Sequence, residues 1–224
     1  MVETFRRQEA VELHRIIVVD NGSSDETGEI ASRAGASVVR EERRGYGRAC
    51  YAGVLVAEEA DVIVLLDGDG SDDPEDLSRV LLPVLADEAD LVIGSRALGS
   101  REPGSMSPQQ VFGNRLTASL IRLLYGVKVS DMGPFRAIRR DDLLALDMQE
   151  MTYGWPVEMM VKALRAGYRY REVPVVYRRR TGGASKVGGN LRASLKIGWY
   201  IISAVIRYSR WTPERAGRSP KGSR

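Results

Sequence analysis

The sequence predicts an α/β fold, a mostly parallel central sheet flanked by helices, with a basic helical extension at its C-terminal end. Three observations carry this. Short runs of Val, Ile and Leu alternate with helical patterns from residue 15 onward, as βαβ units require. The run Val62-Ile-Val-Leu-Leu66 has no polar residue, as expected of a strand buried on both faces of a parallel sheet. Charge is also divided: residues 1–164 hold 18 Lys/Arg against 28 Asp/Glu, a balance of −10, whereas residues 165–224 hold 15 against 2, a balance of +13. Such asymmetry points to an anionic partner for the C-terminal part: nucleic acid, a phospholipid surface or a phosphorylated substrate.

The elements follow in order. Arg15-Ile-Ile-Val-Val-Asp20 is a strand, and the turn Asn21-Gly-Ser-Ser-Asp25 leads into a helix from about Glu26 to Ala34, capped by Ser24 or Asp25. A short strand over 36–40 precedes the loop Arg43-Arg-Gly-Tyr-Gly47 and a helix reaching about Glu59. The strand at 62–66 comes next, then a helix over 74–86 and the strand Asp90-Leu-Val-Ile-Gly94. From Ser95 to about Ser107 small residues, Gly and Pro predict a loop. A helix over 109–125 follows, with a broad apolar face, then helices near 141–146 and from Pro156 to Ala166, and a strand from Tyr170 to Tyr177.

Residues 197–206 are almost wholly apolar, but a membrane-spanning helix needs about 20 such residues. With Trp199, Tyr200, Tyr208 and Trp211 on it, and Lys196, Arg207 and Arg210 beside it, this segment fits a helix lying in a membrane interface. It equally fits a core-packing or dimer-forming helix, which leaves a homo-oligomer open. The tail after Thr212 has the composition of a disordered basic segment.

A chain of 224 residues makes one domain, or one with an appendage. One cysteine, Cys50, in an apolar helical context excludes a disulfide framework and a Cys-based zinc site, and reads as a small core residue. The single histidine, His14, precedes a strand at a surface position, which argues against His-centred catalysis. The charged N-terminus shows no signal peptide, so the expected compartment is the cytoplasm.

The strand at 62–66 stops at Asp67-Gly68-Asp69, two carboxylates one residue apart where ligands bind in open α/β sheets. Such a pair is costly without a positive partner, most simply Mg²⁺ or Mn²⁺, which completes its shell with water and phosphate oxygens. The same stretch, Asp-Gly-Asp-Gly-Ser-Asp-Asp-Pro, is also turn chemistry, with Ser71 or Asp72 capping a helix that starts near Pro74. An EF-hand fits poorly, because its glycine position holds Asp72 and its closing Glu position holds Ser78. Downstream, Gly182, Gly183 and Ser185 interleave the cations of Arg178-Arg-Arg-Thr-Gly-Gly-Ala-Ser-Lys186, as an anion nest requires, although that run also suits a solvated face or a nucleic-acid patch.

Taken in order, Val18-Val-Asp-Asn-Gly-Ser-Ser-Asp-Glu-Thr27, Gly45-Tyr-Gly-Arg-Ala49, Leu66-Asp-Gly-Asp69, Gly94-Ser-Arg96, Asn114-Arg115 and Arg180-Thr-Gly-Gly-Ala-Ser-Lys186 resemble glycosyltransferase family two. Within it they are most similar to dolichyl- and polyprenyl-phosphate mannosyl or glucosyl synthases. The resemblance implies a GT-A domain over residues 1–190, with a nucleotide-binding half at about 15–96 and an acceptor half at 97–190. It also implies a GDP- or UDP-hexose donor, a divalent metal and an inverting transfer to a lipid phosphate, at the inner face of the membrane, with no nucleic acid. The apolar helix would cover 191–212 and the tail 213–224.

Carried over by position, Asp20 would contact the base or ribose, with Asn21 beside it where the family often has a second Asp. Gly45, Gly47 and Arg48 would line the nucleotide pocket. Asp67 and Asp69 would hold the metal across Gly68, and Arg96, Arg115, Arg180, Ser185 and Lys186 would collect phosphates, work that suits forked guanidinium donors. Singly, Arg96 and Arg115 also fit ordinary surface or capping roles, and Asp20 a turn cap. A lipid phosphate is already anionic near neutral pH and needs little general base. Glu158 is the carboxylate to expect if a base is used, and it reads equally as a first-turn helix residue beside Pro156.

One departure bears on the fold. The family opens with an additional strand ending in a Pro-x-x-Asn-Glu-like segment, whereas Met1 to Glu12 are charged and look like the helix that would follow it. The expectation is a sheet lacking this strand, with weakened stability or activity that an N-terminal extension restores. Three other readings compete: a glycosyltransferase with a hydroxyl acceptor, a phosphatase of the haloacid-dehalogenase kind, and a basic membrane or nucleic-acid adaptor. In the phosphatase the nucleophilic Asp lies on the first strand and Thr or Val follows the second Asp, whereas here two strands precede the motif and Gly70 follows it.

Overall fold

β-branched residues stiffen the backbone toward extended geometry and set the first strands. In the computed structural model, which describes residues 1–7, 11, 13–182, 199 and 202–213, a short helix α1 (Val2–Arg6) precedes β1 (Ile17–Asp20). Helix α2 (Thr27–Arg33) carries the chain over to β2 (Ser37–Arg40), which pairs in parallel with β1, Ile17 opposite Ser37 through Asp20 opposite Arg40. Asp25 accepts from the Thr27 amide at the start of α2. Helix α3 (Tyr46–Leu55) ends one turn before the expected Glu59.

The second sheet holds β3 (Val62–Leu65), β4 (Leu91–Arg101), β5 (Arg136–Arg139) and β6 (Tyr170–Tyr177) in the order β3-β5-β4-β6. β5 is antiparallel to both neighbours and β4 is parallel to β6, so β3, β4 and β6 share one direction and the sheet is mostly parallel. Two strand segments lie where the sequence predicts none. β4 does not stop at Gly94: after a register shift between Ser95 and Ser100 it pairs with β6 as far as Arg101 opposite Tyr177. The continuous apolar run ends at Gly94, and most of this half is exposed, but the backbone ladder continues. β5 is a four-residue strand bounded by two arginines, too short and too charged to show an apolar run.

The core lies on both faces of β4. Leu91 and Ile93 pack with Ile121, Leu146, Met159 and Met160, while Val92 packs on the other face with Leu77, Val80, Leu81 and Val84. That alternation is the two-residue period of a strand. The residues on the second face belong to α4 (Leu77–Leu85). Asp73, rather than Ser71 or Asp72, caps the short 3₁₀ turn Pro74–Asp76 that leads into it. Helix α5 (Pro108–Tyr125) starts with a reciprocal Ser107/Gln110 capping box and stops at Gly126 in the left-handed region. Helices α6 (Arg140–Ala145) and α7 (Trp155–Arg165) complete the domain. A helix over 202–208 docks Ala204, Val205 and Tyr208 on Val157 and Val161 of α7.

β3 departs from its expected burial. Only Ile63 is buried, and Val62, Val64 and Leu65 are half-buried. The cause is topological: no described strand lies between β1 and β3, and a cavity of about 940 Å³ opens between them, lined by Ile17, Val19, Val62, Val64 and Leu66. Cys50, half-buried on the wall of this cavity, packs against the core, and burial pushes its thiol up to about 12. His14 is exposed and lies 3.2 Å from Glu59.

Candidate active site

Polar residues follow the apolar segments of β1, β3 and β4, and they gather at one end of the cavity. At the end of β1, Asp20 is buried and accepts from the Ser23 amide at 2.8 Å. That hydrogen bond, with help from Arg40, holds its carboxyl below the usual range. Asn21 is a clamp. Its amide nitrogen donates to the carbonyls of Glu41 (2.8 Å) and Arg43 (2.9 Å), and its oxygen accepts from the Gly45 amide at 2.8 Å. A carboxylate could make only the last of these bonds, which gives a physical reason for Asn here.

Gly45 and Gly47 open α3 against a second loop. A Cβ on Gly45 would run into the Met151 carbonyl and one on Gly47 into that of Glu150. The absence of side chains lets Gly47 and Arg48 donate backbone N–H bonds to Thr152 (3.3 Å) and Met151 (3.2 Å). Asn21, Tyr46, Asp67, Gly68 and Tyr153 line the polar mouth of the cavity.

At the end of β3 three carboxylates crowd together. Burial, and then the charge of Asp69, pushes Asp67 up to about 6. Burial and Asp67 push Asp72 up to about 7. The Asp67 amide donates to one Asp72 oxygen at 3.3 Å, and the other Asp72 oxygen is buried without a hydrogen-bond partner. Asp69 accepts from the Ser71 amide (2.9 Å) and pairs with Arg180 at 2.9 Å. Its backbone carbonyl accepts from the amide of Thr181 at 2.9 Å, which fixes the chain after β6 beside the motif. Arg178 is paired with Asp73.

Arg96 reaches the same place from β4. Both its guanidinium edge and its own amide bind Asp131, at 2.7–2.8 Å, and the guanidinium lies 4.9 Å from the Tyr177 ring centroid. Burial works against its charge, but Asp131 outweighs burial and holds it a cation. Beneath, Arg136 is fully buried and donates to the carbonyls of Gly133 and Pro156.

Crowded carboxylates pushed up by burial and mutual repulsion, one with an orphaned buried oxygen, fit a divalent cation, and two flanking guanidinium groups fit phosphate oxygens. Asp67, Asp69 and Asp72 are the residues that could hold one. Among the described residues no preformed three-ligand His/Cys/Asp/Glu cluster is present, and Mg²⁺ or Mn²⁺ bound by one or two carboxylates and substrate requires none.

Residues 1–146 match the glycosyl transferase family 2 model. The chain belongs to glycosyl transferase family 2. An uncharacterised glycosyltransferase of Mycobacterium tuberculosis is 41% identical over 195 residues, 85% of this chain and 87% of that one. The undecaprenyl-phosphate mannosyltransferase of Micrococcus luteus is 33% identical over 222 residues, covering 92% and 85%. The dolichyl-phosphate hexose transferase of Haloferax volcanii is 36% identical over 167 residues, covering 74% and 71%. Among solved structures, glucosyl-3-phosphoglycerate synthase from M. tuberculosis, in complex with Mn²⁺, UDP and glucosyl-3-phosphoglycerate, superposes with a TM-score of 0.69 at 19% identity, covering 90% of this chain and 71% of that one. The fold is therefore GT-A, and the protein is a glycosyltransferase. Family membership removes the phosphatase and adaptor readings.

In this family 2 enzyme, Asn21, Asp67 and Gly68 line one cavity, Asp69 pairs with Arg180, Arg96 and Arg180 both act on the charge of Asp67, and Asp20 ends β1 next to Asn21. Arg115 lies apart: it is exposed on the outer side of α5, while its neighbour Asn114 turns inward to accept from the Met132 amide at 2.8 Å. Ser185 and Lys186, with Gly183, lie outside the described residues. Glu158 is a correction. It is fully buried, pairs with Lys162 at 2.7 Å, and accepts from the Gln149 (2.8 Å) and Glu150 (2.6 Å) amides, so no acceptor hydroxyl reaches it. Reading the sequence missed Asp131, Arg136 and Lys162, and assigned Asp72 only a turn role. The doubled Asp72-Asp73 was a usable signal for Asp72.

Proposed function

We propose that the enzyme transfers a hexose, with inversion, from a nucleoside diphosphate sugar to a polyprenyl phosphate at the cytoplasmic face of a membrane. The observation that carries the reading is the end of β3, where Asp67, Asp69 and Asp72 stand beside Arg180 and Arg96. Asp67 and Asp69 are assigned to Mg²⁺ or Mn²⁺, which when bound offsets the charge that develops on the departing nucleoside diphosphate. Asp20 and Asn21 form the floor for the nucleoside, from residues 15–96. Arg96 and Arg180, the second paired with Asp69 in this structure, would orient phosphate oxygens of donor and acceptor.

The acceptor assignment is supported by the burial of Glu158, the carboxylate the sequence offers as a base. An acceptor hydroxyl needs a base, and Glu158 is sealed behind Lys162. A phosphate oxygen arrives deprotonated and attacks the anomeric carbon from the side opposite the leaving diphosphate, so the C1–O bond to the diphosphate breaks as the new C1–O bond forms. The undecaprenyl-phosphate mannosyltransferase and the dolichyl-phosphate hexose transferase, each named for a lipid phosphate, align over most of the chain. The test is turnover of GDP- and UDP-hexoses with undecaprenyl phosphate and Mn²⁺, with the product anomer read by NMR. We expect an inverted glycosyl-phosphate lipid, and a loss on the order of 100-fold or more in Asp69→Asn. Transfer to glycerol or phosphoglycerate but not to the lipid phosphate would overturn the acceptor, and retention of configuration would overturn the mechanism.

A further inference from the structure

Glu172 lies outside the site described above, yet a run of hydrogen bonds ties it to Arg96. It is half-buried on β6, opposite Ile93 of β4. One of its carboxylate oxygens accepts from the Ser130 amide (2.9 Å), the Ser130 hydroxyl (2.9 Å) and the Asp131 amide (3.1 Å). The other accepts from the Ser130 amide at 3.1 Å. Because the Ser130 hydroxyl donates to Glu172, it accepts from the buried Ser95 hydroxyl at 2.7 Å. Asn114 of α5 holds the same loop from a third side, accepting from the Met132 amide at 2.8 Å. Asp131, fixed in this way and buried, spends its own oxygens on the amide, Nε and Nη2 of Arg96 at 2.7–2.8 Å.

We propose that Glu172 is a positioning residue for donor binding: it holds the 130–132 backbone so that Asp131 presents the Arg96 guanidinium to the diphosphate of the nucleotide sugar. This role rests on the reading of the end of β3 as a metal and diphosphate site. Arg96 acts at that end, because its charge works against the burial that pushes up both Asp67 and Asp72. Successive amides turned on one carboxylate form an anion nest, and charged acceptors make the stronger hydrogen bonds. Bonding of this kind suits a loop that is set before its ligand arrives. Arginine loses much side-chain freedom on binding, and a guanidinium already forked on Asp131 has met that cost in advance. The Asp131 pair uses Nε and Nη2, and Nη1 is the group it leaves for phosphate oxygens. Nucleotide binding needs no acceptor, so this role stands or falls apart from the lipid-phosphate assignment.

Calorimetric titration of the full chain with UDP and with GDP, each with Mn²⁺ and without acceptor, tests this in wild type, Glu172→Gln, Arg96→Lys and the double variant. Gln keeps the volume of Glu, but it removes the charge and sets a donor toward the Ser130 amide. We expect Glu172→Gln and Arg96→Lys each to weaken the tighter nucleotide about tenfold. The double variant should bind within about twofold of Arg96→Lys, because Glu172 acts through that arginine. Ser130→Ala, which cuts the hydroxyl tie and leaves both amides, should cost about threefold in wild type and nothing measurable in the Arg96→Lys background. Wild-type affinity in Glu172→Gln would overturn the proposal. So would a loss repeated in full in the Arg96→Lys background, which would make Glu172 a brace of the fold alone. If Glu172→Gln fails to fold, the two Ser130→Ala measurements decide on the same terms. Wild-type affinity in Arg96→Lys would overturn the role of Arg96 as well, and binding of neither nucleotide by wild type would overturn the diphosphate site itself.

Discussion

Asn21 makes three hydrogen bonds, and their geometry calls for an amide at this position. Two of its three hydrogen bonds are donated, to the carbonyls of Glu41 and Arg43. Asn21→Asp would turn a carboxylate toward two carbonyl oxygens. We expect a loss of about 1–3 kcal/mol in a denaturant melt and a raised donor KM with a smaller change in kcat, because the 41–45 loop would no longer be tied to β1. An unchanged melt would show that the clamp is dispensable. The carboxylate cluster predicts the opposite kind of change. Asp72 has its carboxyl pushed up to about 7 by burial and by Asp67. A carboxyl raised in the folded state costs stability as pH climbs above its ordinary value, and the cost is complete above the folded value. In chelator-treated protein, Asp72→Asn should therefore melt higher than wild type at pH 8, by about 2–4 °C for each kcal/mol of repulsion relieved. The gain should vanish below the ordinary carboxylate range. A lower melting temperature at pH 8 would show that the Asp67 amide bond outweighs the repulsion.

At the scale of elements, α7 joins the 202–208 helix to the loop that meets the start of α3. Lys162 and Glu158 sit one turn apart and wholly buried, 2.7 Å from each other. Glu158 holds the 149–150 backbone, and the carbonyls of Met151 and Thr152 just after it accept from Arg48 and Gly47 at the start of α3. The Lys162 ammonium also lies about 5 Å from the rings of Tyr208 and Trp211. Removing one member of such a pair strands a buried charge, so Lys162→Met should cost about 3–5 kcal/mol, and Glu158→Gln/Lys162→Met should recover much of that. A catalytic base would behave differently: Glu158→Gln would lower kcat with stability and donor KM untouched. These elements also show what the sequence made legible. β6 coincides with its apolar alternation to the residue, and Asp67 was readable because it follows an apolar strand run, whereas Asp20 and Arg96 were reached through the family resemblance. β5 was not readable, since its two apolar residues are flanked by Arg136 and Arg139, and the inward turn of Arg136 depends on the carbonyls of Gly133 and Pro156. The partnership of Arg96 with Asp131 spans 35 residues and that of Arg180 with Asp69 still more, so neither is visible in local pattern.

For the molecule as a whole, the consequence of the cavity between β1 and β3 is uneven stability. The β1–β2 ribbon carries Asp20 and Asn21, while Asp67, Asp69, Arg96 and Arg180 belong to the four-stranded sheet or its margins. Among the described residues no backbone ladder joins the two sheets. The ribbon is held by packing of α3 and by the Asn21 clamp, whereas Leu91, Val92 and Ile93 of the main sheet are completely buried and paired on both sides. Local opening free energies follow buried contact and ladder continuity, so amides of Ile17–Asp20 and Ser37–Arg40 should exchange through openings well below the global unfolding free energy, and those of β4 and β6 only near it. A nucleotide sugar that contacts Asp20 on one side and Asp67 or Arg180 on the other would bridge the two bodies and stabilise the ribbon selectively, by the linkage of binding to the closed form. Hydrogen exchange with and without UDP- or GDP-sugar and Mn²⁺ measures this directly: protection should rise in β1 and β2 and stay level in β4. Equal exchange of both sheets in the free enzyme would mean that the ribbon is coupled to the core through contacts other than strand pairing, and a donor-induced rise confined to the main sheet would place the nucleoside away from Asp20.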